Sequence, residues 1–145
     1  MISTASARKW VVRFDDEFEA KDFGKFSDDE KDALLTAAKA LAIAGPRTGR
    51  PHVDTLSGSK HSNMKELRYD SLDGTQVWRA AFAFDPNQEA IILCAADKQG
   101  TSQVKFYRTL IAKADRRFDS HLQKIEDTRR QTGAKVKSAK SKRNN

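Results

Sequence analysis

Met64-Lys65-Glu66-Leu67-Arg68-Tyr69 and Val77-Trp78-Arg79-Ala80-Ala81-Phe82-Ala83-Phe84, with Asp73-Gly74 between them, decide the fold. Both runs alternate in polarity, and Asp-Gly between such runs is a strong hairpin signal. A third run, Ala90-Ile91-Ile92-Leu93-Cys94-Ala95, follows the turn residues Asp85-Pro86-Asn87. It is apolar on both faces, which predicts a central strand. Upstream, Trp10-Val11-Val12-Arg13-Phe14 reads as a first strand and Glu17 to Phe26 as a short helix. Ser27 followed by Glu30 forms a capping box. Leu34, Leu35, Ala38, Leu41 and Ala42 then recur with helical period until Gly45-Pro46 stops them. Gly45 to Asn63, with its glycines and prolines, reads as a long loop, and loops of that length are more often functional than not. Downstream, Gln99-Gly100 breaks the third run and Ser102 opens a last helix carrying Val104, Tyr107, Leu110, Ile111, Ala114, Phe118 and Leu122. The expected class is α+β: a small antiparallel-type sheet packed against two N-terminal helices and one C-terminal helix.

With 145 residues the chain has room for one domain and one core. No apolar run approaches the roughly 20 residues of a membrane span. Neither a leader segment nor a disulfide framework is read, since Cys94 is the single cysteine. A cytoplasmic protein is expected.

The net charge of +7 is unevenly placed. Arg129, Arg130, Lys135, Lys137, Lys140, Lys142 and Arg143 follow one another with no acidic residue among them. Removing these seven from 27 basic residues leaves 20, equal to the 20 acidic ones. Residues 1–128 therefore form a neutral body, and 129–145 a basic tail with too little apolar content to fold, expected to be disordered. It serves either solubility or the holding of a polyanion. Within the body, residues 15–32 carry nine acidic residues against three lysines, whereas residues 47–117 carry twelve basic against eight acidic. A polyanion is expected on the later part.

Period-two reading of the hairpin assigns the faces. Leu67 and Tyr69 share one face with Trp78, Phe82 and Phe84, which must meet the helices. Glu66, Arg68, Arg79, Ala81 and Ala83 fall on the other, which the small alanines should leave open and shallow. Two guanidiniums there suit phosphate, because each presents a fixed fork of donors. The plainer reading pairs both arginines with Glu66, Asp70 or Asp85. Lys60, His61, Lys65, Lys98 and Tyr107 are the other groups that strand ends and loops can bring to this face. His52, His61 and His121 are too far apart for a helix-borne metal pair, and neither a phosphate loop nor a Gly-x-Ser-x-Gly elbow is present.

Gly49 to Ser59, Asn63-Met64-Lys65-Glu66-Leu67-Arg68, Trp78 to Asp85, Ile91-Ile92-Leu93 with Asp97-Lys98, Phe106-Tyr107, Ala114-Asp115 and Phe118 to Leu122 together resemble a HigB-like toxin of the RelE/ParE superfamily. The resemblance covers about Trp10 to Ile125 and leaves the basic tail outside. It implies a RelE-like fold and the toxin role in a type II toxin–antitoxin pair, with mRNA cleaved on the translating ribosome. No metal or cofactor is implied. The implied partners are a helix-turn-helix antitoxin of HigA type, mRNA and the ribosome, with operator DNA reached only through the antitoxin and no membrane. Arg68 and Arg79 match the family's strand arginines, and Lys98 the basic residue after the last strand. Tyr107 matches a helix aromatic. Lys65 lies on the Leu67 face by strict alternation, which a bulge would change.

Cleavage of this type needs the ribose 2′-OH deprotonated, the phosphorane charge stabilised and the leaving 5′-oxygen protonated. Arg79 and Arg68 are expected to hold the phosphate, with Lys98, Lys65 or His61 as acid or base and Glu66 as a second candidate base. Lys60, Lys105 and Arg108 complete the expected RNA contacts. Two other functions fit the same residues: inhibition of gyrase without an active site, and RNA binding without cleavage.

Overall fold

The computed structural model describes residues 9–143, with side chains described as far as Gly133. The first eight residues, where the absence of a leader was read, and the last two lie outside the described residues.

Five strands form one mixed sheet: β1 (Val12–Phe14), β2 (Val53–Thr55), β3 (Lys65–Asp70), β4 (Val77–Phe84) and β5 (Ala90–Asp97). Their spatial order is β1-β5-β4-β3-β2, with β1 parallel to β5 and the remaining pairs antiparallel. The expected meander and interior position of β5 are present. The sheet is mixed rather than wholly antiparallel because β1 reaches β5 only after the rest of the chain has crossed the sheet. Helix α1 spans Asp28–Ala44 and helix α2 spans Gln103–Arg143. The molecule is α+β, with a RelE-like arrangement of sheet and helices.

The capping box at α1 is complete: Ser27 Oγ accepts from the Glu30 amide at 3.1 Å, and the Glu30 carboxylate accepts from the Ser27 amide at 2.9 Å. At the other end Gly45 stands at φ +64°, with the Trp10 indole 2.2 Å from where a Cβ would lie. Only glycine fits that approach. The expected helix over Glu17–Phe26 is a π-helical turn, Phe18–Asp22, followed by a 3₁₀ turn, Phe23–Lys25. Asp15 caps this segment, its Oδ2 accepting from the amides of Glu17 and Phe18.

Both faces of the sheet are covered. Phe18, Leu34 and Leu41 pack on Val53, Leu67, Ala80, Phe82, Ala90 and Ile92. Phe106, Leu110, Ala114 and Phe118 of α2 pack on the opposite face, over Ala81, Ala83, Ile91, Leu93 and Cys94. The open, shallow face expected beside Arg79 is therefore absent at Ala81 and Ala83, which are fully buried. Their small size lets α2 approach the sheet closely.

A register shift in β5 completes this packing. Ala81 pairs with Cys94 and Phe82 with Ile92, so Leu93 is the extra residue of a bulge. The bulge turns both Leu93 and Cys94 toward α2. It also presents the Leu93 carbonyl to Arg117, whose Nη1 donates to it at 2.8 Å.

The segment Gly45–Asn63 is more structured than its composition suggests. It contains a 3₁₀ turn at Gly45–Arg47 and the edge strand β2. Its last part is pinned to α2 by Ser59 Oγ on Asp115 at 2.5 Å and His61 Nε2 on Asp119 at 2.8 Å. Among the described residues no helix is long and apolar enough to cross a membrane. The backbone of α2 continues as helix through the basic stretch to Arg143, and every described residue from Glu126 to Gly133 is exposed.

Candidate functional site

The hairpin register sets Arg68 directly opposite Arg79. Like charges directly opposite on adjacent strands destabilise a sheet. The pair stands on the α2-side face, at the end of the sheet beyond the alanines that α2 covers. Glu66, also on this face and 4% exposed, lies between them. Arg68 Nε donates to Glu66 Oε1 at 2.8 Å. Glu66 Oε2 and Arg79 Nε are 4.0 Å apart, too far for a hydrogen bond, and both are buried without a partner. Arg79 is fixed from the other side by donating to the Trp78 carbonyl at 3.0 Å. At the margin, Asp54 of β2 accepts from Arg50 at 3.0 Å and lies 3.4 Å from Arg68. Of the partners that the plainer reading offered for Arg68, Glu66 is the one engaged.

Two further groups close the site. Lys98 follows β5, its amide donating to the Val77 carbonyl, and its Nζ sits 5.6 Å from the centre of the Tyr107 ring. Tyr107, in the second turn of α2, lies against Glu66 and Arg79. Burial is the main reason its hydroxyl titrates above the usual phenol range; the Glu66 charge adds to this and Arg79 opposes it. It therefore stays protonated at neutral pH. Arg68 is pushed above the usual guanidinium range, chiefly by its hydrogen bond to Glu66. Four cations (Arg50, Arg68, Arg79, Lys98) thus face two carboxylates (Glu66, Asp54), a local excess of positive charge on a body that is neutral overall.

Not every expected residue converges here. Lys65 opposes Phe82 on the α1 side of the sheet, where its Nζ donates to Thr55 Oγ1 at 2.9 Å. Strict alternation holds in β3, and the bulge lies in β5 instead. His61 packs edge-on against Phe118, 4.9 Å between ring centres. Phe118 is eleven residues along α2 from Tyr107, about 16 Å of helix. Lys60 is ion-paired with Asp119 beside it. Lys105 and Arg108 are exposed on the first turns of α2, Lys105 flanking Ala95, Ala96 and Asp97. Cys94 is inert: burial raises its thiol to about 12.

Arg117 was missed from the sequence. It is 3% exposed and donates to Glu17 at 3.0 Å, to both oxygens of Asp22 at 2.8 and 3.1 Å, and to the bulge carbonyl. Burial disfavours the Glu17 charge, but hydrogen bonds from Arg116, Lys21 and Arg117 outweigh it and bring the carboxyl down to about 2. The signal was available: Arg117 stands three residues after Ala114 and seven after Leu110, on the apolar stripe of α2.

Residues 21–119 match the family model described as phage-derived protein Gp49-like (DUF891). Two Mycobacterium tuberculosis proteins are similar to the chain. One, provisionally named as toxin HigB2, is 44% identical over 96 residues, covering 66% of this chain and 47% of the relative. The other, provisionally named as toxin HigB3, is 40% identical over 95 residues, covering 63% of this chain and 79% of the relative. The matched region thus spans about half the length of the first relative and most of the second. No solved structure matches the chain significantly. The chain belongs to the Gp49-like (DUF891) family, and the HigB-like resemblance read from its strand motifs is borne out by the relatives that carry that name.

Proposed function

We propose that this protein is the toxin of a toxin–antitoxin pair and that it cleaves mRNA on the ribosome, without a metal ion, at the Arg68–Arg79 face. The toxin reading rests on the names of its relatives, and the metal-free cleavage on the resemblance to HigB-like proteins. The observation that carries the site is the cross-strand pairing of Arg68 with Arg79. Such a pair costs stability; Glu66 offsets part of that cost from within the sheet, and two guanidiniums side by side suit a phosphate laid across them.

In the proposed reaction the ribose 2′-oxygen attacks the adjacent phosphorus. The new O–P bond closes a 2′,3′-cyclic phosphate as the bond to the 5′-oxygen breaks. Arg79 and Arg68 stabilise the charge on the phosphorane oxygens. Glu66 is a positioning residue: buried and paired with Arg68, it holds the guanidiniums side by side. Lys98 and Tyr107 handle the protons, one taking that of the 2′-OH and the other supplying the 5′-oxygen. The antitoxin, of HigA type, is the proposed neutralising partner.

The direct test adds purified protein to a reconstituted translation system programmed with one mRNA. Internal cuts within the reading frame, ending in cyclic phosphate and absent without ribosomes, are expected. Uncut mRNA in a system that the protein still binds makes it an RNA-binding module. Loss of gyrase supercoiling with intact mRNA makes it an inhibitor of that enzyme.

A further inference from the structure

The basic run Arg129–Arg143 takes no part in the site above, yet it lies on the same helix. Tyr107 stands in the second turn of α2 and the backbone stays helical to Arg143. At 1.5 Å per residue the run begins about 33 Å beyond Tyr107 and ends about 54 Å beyond it. That is outside the reach of the few nucleotides a cleavage site holds. Seven of its residues are basic and none acidic, against a body of 20 basic and 20 acidic residues. From Glu126 to Gly133 every described side chain is exposed, and Thr128 and Arg129 stand only at the edge of a cavity beside β1, so this part of the helix buries little against the body. A helix polar on all sides gains little from its own chain. Its positive charges repel one another and favour a polyanion.

We infer that the C-terminal part of α2 is an RNA-binding arm that grips ribosomal RNA at a distance from the cleavage face. This rests on the ribosome-directed reading above. A single site is served by the Arg68–Arg79 cluster alone, and a second run of cations tens of ångströms away calls for a large, continuous phosphate surface. Ribosomal RNA supplies one. The contact reads phosphate rather than sequence, because lysine-rich runs neutralise charge without selecting bases.

The test compares the full-length protein with a full-length variant in which Arg129, Arg130, Lys135, Lys137, Lys140, Lys142 and Arg143 are all replaced by Gln. A third protein, Arg79→Ala, reports on the cleavage face. Binding to purified bacterial ribosomes is measured across a salt series, and thermal unfolding checks that each variant is folded. Neutralising the run is expected to weaken binding at least about tenfold at low salt and to flatten the logarithmic salt slope by as much as about 5. Arg79→Ala should change that slope by no more than about 1. Equal affinity and equal slope for the neutralised variant overturn the arm. A loss seen with duplex DNA but not with ribosomes overturns the assignment to RNA. Absence of ribosome binding by the unaltered protein overturns the ribosome-directed reading itself, a result distinct from the other two.

Discussion

Arg79 is held by its strand, by the Trp78 carbonyl and by a carboxylate 4.0 Å away that gives it no hydrogen bond. A guanidinium so placed is oriented but not saturated. Arg79→Ala is therefore expected to lower turnover by roughly 10²–10³-fold while changing stability little, since its removal also relieves the cross-strand repulsion with Arg68. Single-turnover cleavage and a denaturant melt check the two halves. Glu66→Gln separates positioning from proton transfer. The amide keeps a hydrogen bond to Arg68 but cannot accept a proton at neutral pH, so a modest loss with an unchanged pH profile is expected. Loss of the acidic limb of that profile would make Glu66 the base. Gly45→Ala tests a purely structural residue. Its positive φ and the Trp10 contact predict a loss of roughly 1–3 kcal/mol in chemical unfolding, with altered tryptophan fluorescence.

At the scale of elements, α2 and the turn over Phe18–Asp22 are clasped by Arg117, Arg116, Glu17 and Asp22. Arg117→Ala is expected to cost roughly 1.5–3 kcal/mol, the worth of hydrogen bonds to charged partners, read from urea melts. The clasp also sets an acid limit. Glu17 titrates near 2 here and Asp22 below the usual carboxylate range, so each binds protons more readily unfolded than folded. Their contribution is complete above the ordinary carboxylate range and is lost as pH falls from about 4.5 toward 2. Melts across that window should show a steeper loss for the unaltered protein than for Glu17→Gln.

These elements differ in how far the sequence declared them. The capping box, the hairpin and the α2 stripe are local patterns, and each lies where the residues place it. β2 was hidden because three residues in a glycine- and proline-rich stretch carry too short a pattern, and pairing with β3 makes the strand. The bulge at Leu93 was hidden because β5 is apolar on both faces, so a one-residue slip changes nothing in its periodicity. Arg117 reads as one more charge on a basic helix until the bulge carbonyl and the carboxylates of a distant turn surround it. The candidate site divides the same way: alternation brought Glu66, Arg68 and Arg79 to one face, whereas His61 and Lys60 turned to α2 because Asp119 was there to receive them.

Across the whole molecule, positive charge gathers in two places: locally at one end of the sheet, in a body that is neutral overall, and along the C-terminal end of α2, which holds the net charge of the chain. The body's boundary is testable without any partner. Amide exchange along α2 should show strong protection from Phe106 to Leu122, where the helix is buried against the sheet, and little beyond Thr128. The central claim, that the Arg68–Arg79 face cuts translated mRNA, is met most directly in growing bacteria. The protein, its Arg79→Ala variant and its Lys65→Ala variant are expressed from an inducible promoter, and transcript 5′ ends are mapped with and without translation blocked. New ends inside reading frames are predicted for the unaltered protein and for Lys65→Ala, whose side chain lies on the other side of the sheet. They should vanish in Arg79→Ala and when translation stops. Undiminished cleavage by a folded Arg79→Ala variant would contradict the account.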